Sequence, residues 1–128
     1  MADKKVRVAV YLRADNEDLI ETIKKHYINM ITERNGMVLT GFYVDINKSA
    51  YRVDNREGFQ QMLAEAKKGE FDKIITPSMA RFSRNMQDLF ETLRRLGDCG
   101  VGVYFENEGV GTDLTDGEVI MAIRSALE

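Results

Sequence analysis

The feature that most constrains this chain is an alternation of two periods. Short apolar runs recur along it, and each is followed by a longer stretch whose apolar residues return every three or four positions. "KKVRVAVYL" places Val6, Val8, Val10 and Leu12 on one face and Ala9 and Tyr11 on the other, which reads as a strand buried on both sides. In "EDLIETIKKHYINMITERNG", Leu19, Ile20, Ile23, Tyr27, Met30 and Ile31 return at helical spacing; Asp15 or Asn16 can cap that helix and Gly36 ends it. "MVLTGFYVD" is a second strand, "INKSAYRVDN" a polar loop, and "REGFQQMLAEAKKGE" an amphipathic helix ending at Gly69. "FDKIITP" is a third strand, closed by the sole proline, Pro77, which opens "SMARFSRN"; a helix then runs through "MQDLFETLRRLGDCG". "VGVYFE" is a fourth strand and "NEGVGTD" a Gly-rich loop. "DGEVIMAIRSALE" starts a last helix, with Val119, Ile120, Ile123 and Leu127 facing one way. Strands alternating with helices predict an α/β fold: a three-layer αβα domain around a four-stranded, mainly parallel sheet.

A chain of 128 residues without repeats or linkers is one domain, long enough to bury a core. No apolar run approaches the ~20 residues of a membrane span, and "MADKK" leads straight into a strand with no signal-peptide pattern, so a cytoplasmic location is expected. One cysteine, Cys99, excludes an internal disulfide, and with one histidine, His26, it leaves little for a zinc site. Cys99 is expected in packing, and His26, flanked by lysines, on a solvated surface. A net charge of −3 and a pI near 5.3 argue against a protein that coats nucleic acid non-specifically. They leave room for a local cationic pocket.

Several familiar patterns fail on inspection. "DINKSAYRVDNR" imitates a calcium loop through Asp45, Asn47 and Ser49, but it lacks the central glycine and ends on Arg56 where a bidentate glutamate is needed. "GVGTDL" lacks the third glycine of a dinucleotide fingerprint, and there is no Gly-Lys-Ser/Thr phosphate loop. No metal and no cofactor is expected.

The arginines carry more. Arg13 follows the first strand, and Arg81 and Arg84 follow the third, which places all three at the carboxyl edge of the sheet, where open parallel sheets bind ligands. Arg56 starts a helix after a long loop and can reach the same edge. Guanidinium forks gathered there would hold a phosphate or another oxyanion. The plainer reading is pairing with the abundant surface Asp and Glu, and spacing alone leaves both open.

"VAVYLRADN", "NREGFQQMLAEAKKGEFDKIITPSMARFSRN" and "GVGVYFENEGVGT" together resemble the catalytic domain of serine recombinases, the resolvase/invertase family, and especially its large transposon and phage integrase branch. The likeness runs in order over essentially the whole chain, and the stretch from Asn55 to Asn85 carries it by itself. It implies site-specific cleavage and rejoining of DNA through a serine that becomes linked to a 5′-phosphate, with arginines around the scissile phosphate. Residue by residue, Tyr11 and Arg13 match the family's Tyr-x-Arg, Arg56 the arginine of "NREGF", and Arg81 and Arg84 the two arginines of its Ser-Arg-Phe-x-Arg-Asn, with Asn85 after them. The resemblance also implies that the helix starting near Asp116 is the dimer helix, truncated at Glu128. DNA binding would then lie mainly in an absent C-terminal domain, and the full protein would be a homodimer or tetramer.

Three departures qualify it. The family's Arg-Val-Ser-Thr is here Arg13-Ala14-Asp15-Asn16, so Asp15 stands in the nucleophile position. The usual glutamines after it are absent, with Leu19 and Ile23 in that region, and Ala80 replaces a Ser or Asp. A carboxylate can attack phosphorus, but the acyl phosphate formed is prone to hydrolysis and poorly suited to surviving strand exchange. The expectation is a recombinase domain with impaired cleavage, Asp15 serving as a fixed anion beside Arg13, Arg81 or Arg84. The alternatives are a non-catalytic, DNA-bound or partner-bound regulator and, less favoured, a small-anion or nucleotide-binding domain.

Overall fold

The computed structural model describes residues 5–34, 36–46, 56–83 and 85–112. Of the polar loop expected at 46–55, Ile46 ends β2 and the rest, with Arg84 and the expected C-terminal helix, lies outside the described residues. The elements are β1 (Val6–Ala14), a 3-10 turn (Glu17–Leu19), α1 (Ile20–Thr32), β2 (Met37–Ile46), α2 (Glu57–Lys67), β3 (Lys73–Thr76), α3 (Met79–Phe82), α4 (Met86–Asp98), β4 (Gly102–Phe105) and β5 (Val110–Gly111).

The strands form one sheet in the order β2-β1-β3-β4-β5. The first four are mutually parallel, and β5 adds an antiparallel edge. Among the described residues the sheet therefore has five strands where the sequence predicted four. The fifth is two residues long and sits inside the "NEGVGTD" loop, too short to carry an alternating pattern. α3 is likewise a single turn inside "SMARFSRN", below the length at which helical periodicity can register.

The alternation in β1 divides the core in two. Val8, Val10 and Leu12 pack with Ile20, Tyr27 and Ile31 of α1 on one face. Ala9 and Tyr11 pack on the other with Phe59, Met62 and Leu63 of α2, Met79 and Phe82 of α3, and Leu89 and Leu96 of α4. This is the three-layer arrangement the sequence predicts. β1 pairs with β2 in a register that slips between Val8 and Ala9, so that Thr40 is the extra residue. Thr40 donates its hydroxyl to the Val8 carbonyl at 3.1 Å.

Some smaller expectations are corrected. Leu19 is 57% exposed, because the chain enters α1 through a 3-10 turn that rotates Leu19 off the buried face. Cys99 is exposed at the C-cap of α4 and takes no part in the core. His26 is exposed, as expected, and its Nε2 lies 3.0 Å from Glu106 Oε2, while Tyr27 donates to the other oxygen of Glu106 at 2.9 Å. Glu106 thus ties α1 to the end of β4. No helix among the described residues is long and apolar enough to cross a membrane.

Candidate active site

The strand order fixes where a site can form. From β1 the chain moves outward to β2, then crosses back to β3 on the other side of β1. α1, which leaves β1, covers one face, while α3 and α4, which leave β3, pack on the other, so the connections leaving β1 and β3 diverge. The carboxyl ends of two adjacent parallel strands with diverging connections are where open α/β sheets bind ligands. Backbone pairing of β1 with β3 ends at Val10↔Ile75, and beyond it Thr76 reaches the Tyr11 carbonyl with its hydroxyl at 3.0 Å.

Three of the expected residues meet there. Arg13, at the end of β1, donates from Nε to the backbone carbonyl of Arg81 at 3.1 Å. Arg81, on α3, points Nη1 at Asp15 Oδ1, 3.4 Å away. Asn16 explains why Asp15 is available for this contact: the Asn16 side chain caps the 3-10 turn by accepting from Asp18 N at 3.0 Å. Of the two capping candidates in the sequence, Asn16 takes the role. With Asp15 76% exposed, Arg81 41% exposed and one long contact between them, the pair contributes about 0–1 kcal/mol to stability.

Arg56 and Tyr11 form a second, buried layer. Arg56 is fully buried, its guanidinium 4.0 Å from the Phe59 ring centre and 5.1 Å from that of Tyr11. Arg56 Nε donates to the Tyr11 hydroxyl at 3.0 Å, and that hydroxyl donates to Asp45 Oδ2 at 2.7 Å. Nη1 and Nη2 have no hydrogen-bond partner among the described residues. Donors stranded on a buried cation are costly and are commonly satisfied by a ligand or water. Burial holds the Tyr11 phenol well above its ordinary value of 10.0; the Arg56 charge opposes this and the hydrogen bond to Asp45 adds to it. Tyr11 therefore stays a neutral hydroxyl that relays between cation and carboxylate.

Asp45 is the residue that sequence reasoning missed, having set it aside with the false calcium loop. It is 3% exposed and accepts from Gly58 N at 2.8 Å and Phe59 N at 3.0 Å, which caps α2 from a neighbouring strand. A signal existed: the N-cap position of α2 is Arg56, whose side chain has no acceptor to offer. The cap had to come from elsewhere. Gly58 permits the approach, because a Cβ there would lie 2.8 Å from the Val44 carbonyl oxygen.

Asn85 is the N-cap of α4, its side-chain oxygen accepting from Gln87 N and Asp88 N at 2.9 and 3.3 Å. Only its amide NH2 is left for a ligand. Phe82 anchors α3 between Tyr11, Phe59 and Phe105 in edge-to-face contacts, with ring centres 5.0–5.9 Å apart. No group of three or more potential metal ligands occurs among the described residues.

The family model described as "Resolvase, N terminal domain" matches residues 8–128, nearly the whole chain. This chain belongs to the resolvase family. A curated resolvase/recombinase from Pseudomonas putida is 27% identical over 73 residues, which are 57% of this chain and 39% of that protein. The match thus spans well under half of that relative's length. Among solved structures, the N-terminal catalytic domain of TP901-1 integrase superposes with a TM-score of 0.73 at 20% identity, covering 94% of this chain and 93% of that one. A resolvase family site-specific recombinase from Streptococcus pneumoniae gives 0.73 at 23% identity, over 96% of this chain and 87% of that one. At such identities the likeness is one of fold, and it is the fold of serine recombinase catalytic domains. In this resolvase-family domain the residue that follows β1 and faces Arg81 is Asp15.

Proposed function

We propose that this domain serves DNA recombination as a serine-recombinase catalytic module whose own strand cleavage is impaired by Asp15. In this reading a DNA phosphodiester sits at the carboxyl edge of β1 and β3. Arg13, Arg81 and Arg84 hold its non-bridging oxygens, Arg56 adds positive charge from the buried layer beneath without touching it, and the Asn85 NH2 flanks them. Tyr11 keeps Arg56 in place. Phosphoryl transfer needs positioning and charge stabilisation more than covalent assistance, and guanidinium forks supply both.

The observation that carries the reading is the contact between Asp15 and Arg81. A serine in that position would present a hydroxyl to the phosphorus. Asp15 presents a full negative charge, which repels the phosphodiester and occupies the arginine that would hold it. A carboxylate attack would yield an acyl phosphate with the other strand end as leaving group. Water would readily open it, so the bond energy needed for rejoining would be lost.

The test uses the full-length product of the gene and DNA spanning that gene's own borders, resolved on a denaturing gel. The expected result is no covalent adduct with Asp15 and an adduct with Asp15→Ser. An adduct from the Asp15 protein would overturn the impaired-cleavage reading and identify an unusual nucleophile. Silence from both proteins, with binding to DNA demonstrated, would favour a regulator that keeps the recombinase fold without its chemistry.

A further inference from the structure

The arginine facing Asp15 rides on a helix of one turn, which cannot hold its own orientation by internal hydrogen bonds. Its support comes from outside. Ser78 Oγ accepts from Arg81 N at 3.2 Å, and Glu108 Oε1 accepts from Met79 N at 3.2 Å. The segment entering α3 is joined to the turn after β4 by two backbone bonds, Glu106 N to the Thr76 carbonyl at 3.0 Å and Asn107 N to the Pro77 carbonyl at 2.8 Å. The turn itself is fixed. Gly109, at a φ of +67°, donates to the Phe105 carbonyl at 2.8 Å and closes the β4–β5 hairpin. Glu108 sits in that closed turn, half-buried, with its carboxylate against the first N–H of α3.

We propose that Glu108 is a positioning residue for Arg81: through Met79 N–H it sets the orientation of α3, and so the place where the Arg81 guanidinium meets an anion at the carboxyl edge. The importance of that placement for DNA rests on the function proposed above; the placement itself does not. The geometry gives Glu108 two separable properties, reach and charge. Gln keeps the reach and an acceptor oxygen but loses the charge. Asp keeps the charge but falls short by one methylene.

The experiment measures labelling of individual arginines by phenylglyoxal, mapped by mass spectrometry, in the parent and in Glu108→Gln, Glu108→Asp and Glu108→Ala. Arg7, which is paired with Asp72 at the opposite edge of the sheet, is the internal control. Positioning through the hydrogen bond predicts that labelling of Arg81 changes threefold or more in Glu108→Asp and Glu108→Ala, stays near parental in Glu108→Gln, and leaves Arg7 unchanged in all. Equal labelling of Arg81 in parent and Glu108→Asp would overturn the proposal. So would a parallel change at Arg7, which would mean general loosening, or a Gln variant that behaves like Ala. If Glu108→Ala does not fold, the Asp and Gln variants still decide the matter. A second arm repeats the series in the Asp15→Ser protein and follows adduct formation on DNA, where Glu108→Asp and Glu108→Ala should slow the adduct about tenfold while Glu108→Gln does not. Failure of the Asp15→Ser parent to form an adduct would count against the functional reading alone, since the labelling arm stands without DNA.

Discussion

Replacing Asp45 by alanine should be among the most damaging single changes in this domain, although the residue lies within a polar-looking run of the sequence. The carboxylate accepts three hydrogen bonds: from Gly58 N, from Phe59 N and from the Tyr11 hydroxyl. Loss of a helix cap costs about 0.5–2 kcal/mol, and a hydrogen bond to a buried charged acceptor is worth about 1.5–3 kcal/mol. The Tyr11 hydroxyl would lose its acceptor while still accepting from Arg56 Nε, which leaves a fully buried cation further from any counter-charge. Taken together, and allowing for non-additivity, the loss should be about 3–5 kcal/mol. That is a large share of the ~5–15 kcal/mol that holds a typical domain together. Urea unfolding followed by circular dichroism measures it, with amide exchange at Gly58 and Phe59 reporting on the cap. Tyr11→Phe should cost about 2 kcal/mol, and the double variant should cost at least ~1 kcal/mol less than the two singles combined, because both remove the same bond. A loss below about 1 kcal/mol for Asp45→Ala, or additivity within about 0.5 kcal/mol in the cycle, would refute the network as described.

Gly58→Ala should destabilise by about 1–3 kcal/mol because its Cβ meets the Val44 carbonyl oxygen at 2.8 Å, whereas Gly97→Ala in α4, with nothing within 4 Å, should stabilise by about 0.5–1 kcal/mol; paired urea titrations check both. Asp15→Asn should leave unfolding free energy within ~0.5 kcal/mol, as befits an exposed pair, while tightening DNA binding severalfold in fluorescence anisotropy at low salt; unchanged affinity would count against Asp15 as a competing anion. The phenols of Tyr11 and Tyr27 are raised above 10.0 by burial first, and that of Tyr43 is raised to about 12 by burial with Glu65 nearby. A raised phenol favours the folded state below the unfolded value and loses that contribution as pH climbs through the folded one. Stability should therefore be flat with respect to these groups up to about pH 9 and fall above pH 10, with an ultraviolet titration showing these tyrosines still protonated at pH 11 in the folded protein.

How much of this was legible beforehand differs from element to element. The period-two run of β1 assigned Val8 and Val10 to one core and Ala9 and Tyr11 to the other, and the structure keeps that division. Burial on both faces leaves no other solution for such a run, and each parallel crossover needs its helix. The resemblance of the Asn55–Asn85 stretch likewise stands, since the family match covers it. β5 and α3 escaped because elements of two and four residues carry no period of their own. They exist through their neighbours.

The sequence alone determined the α/β class and the family, and it brought Arg13 and Arg81 to one edge of the sheet, because periodicity and motif order are local properties of the chain. Only the tertiary structure decided what each of those arginines faces. It put Arg56 into the aromatic core on Tyr11, turned Arg81 toward Asp15, and brought Asp45 from the end of β2 to the first turn of α2, across the intervening loop. Which partner a charge acquires depends on contacts made across 13 to 68 residues of chain, between atoms that must meet within about 3 Å. No local pattern encodes a distance of that kind.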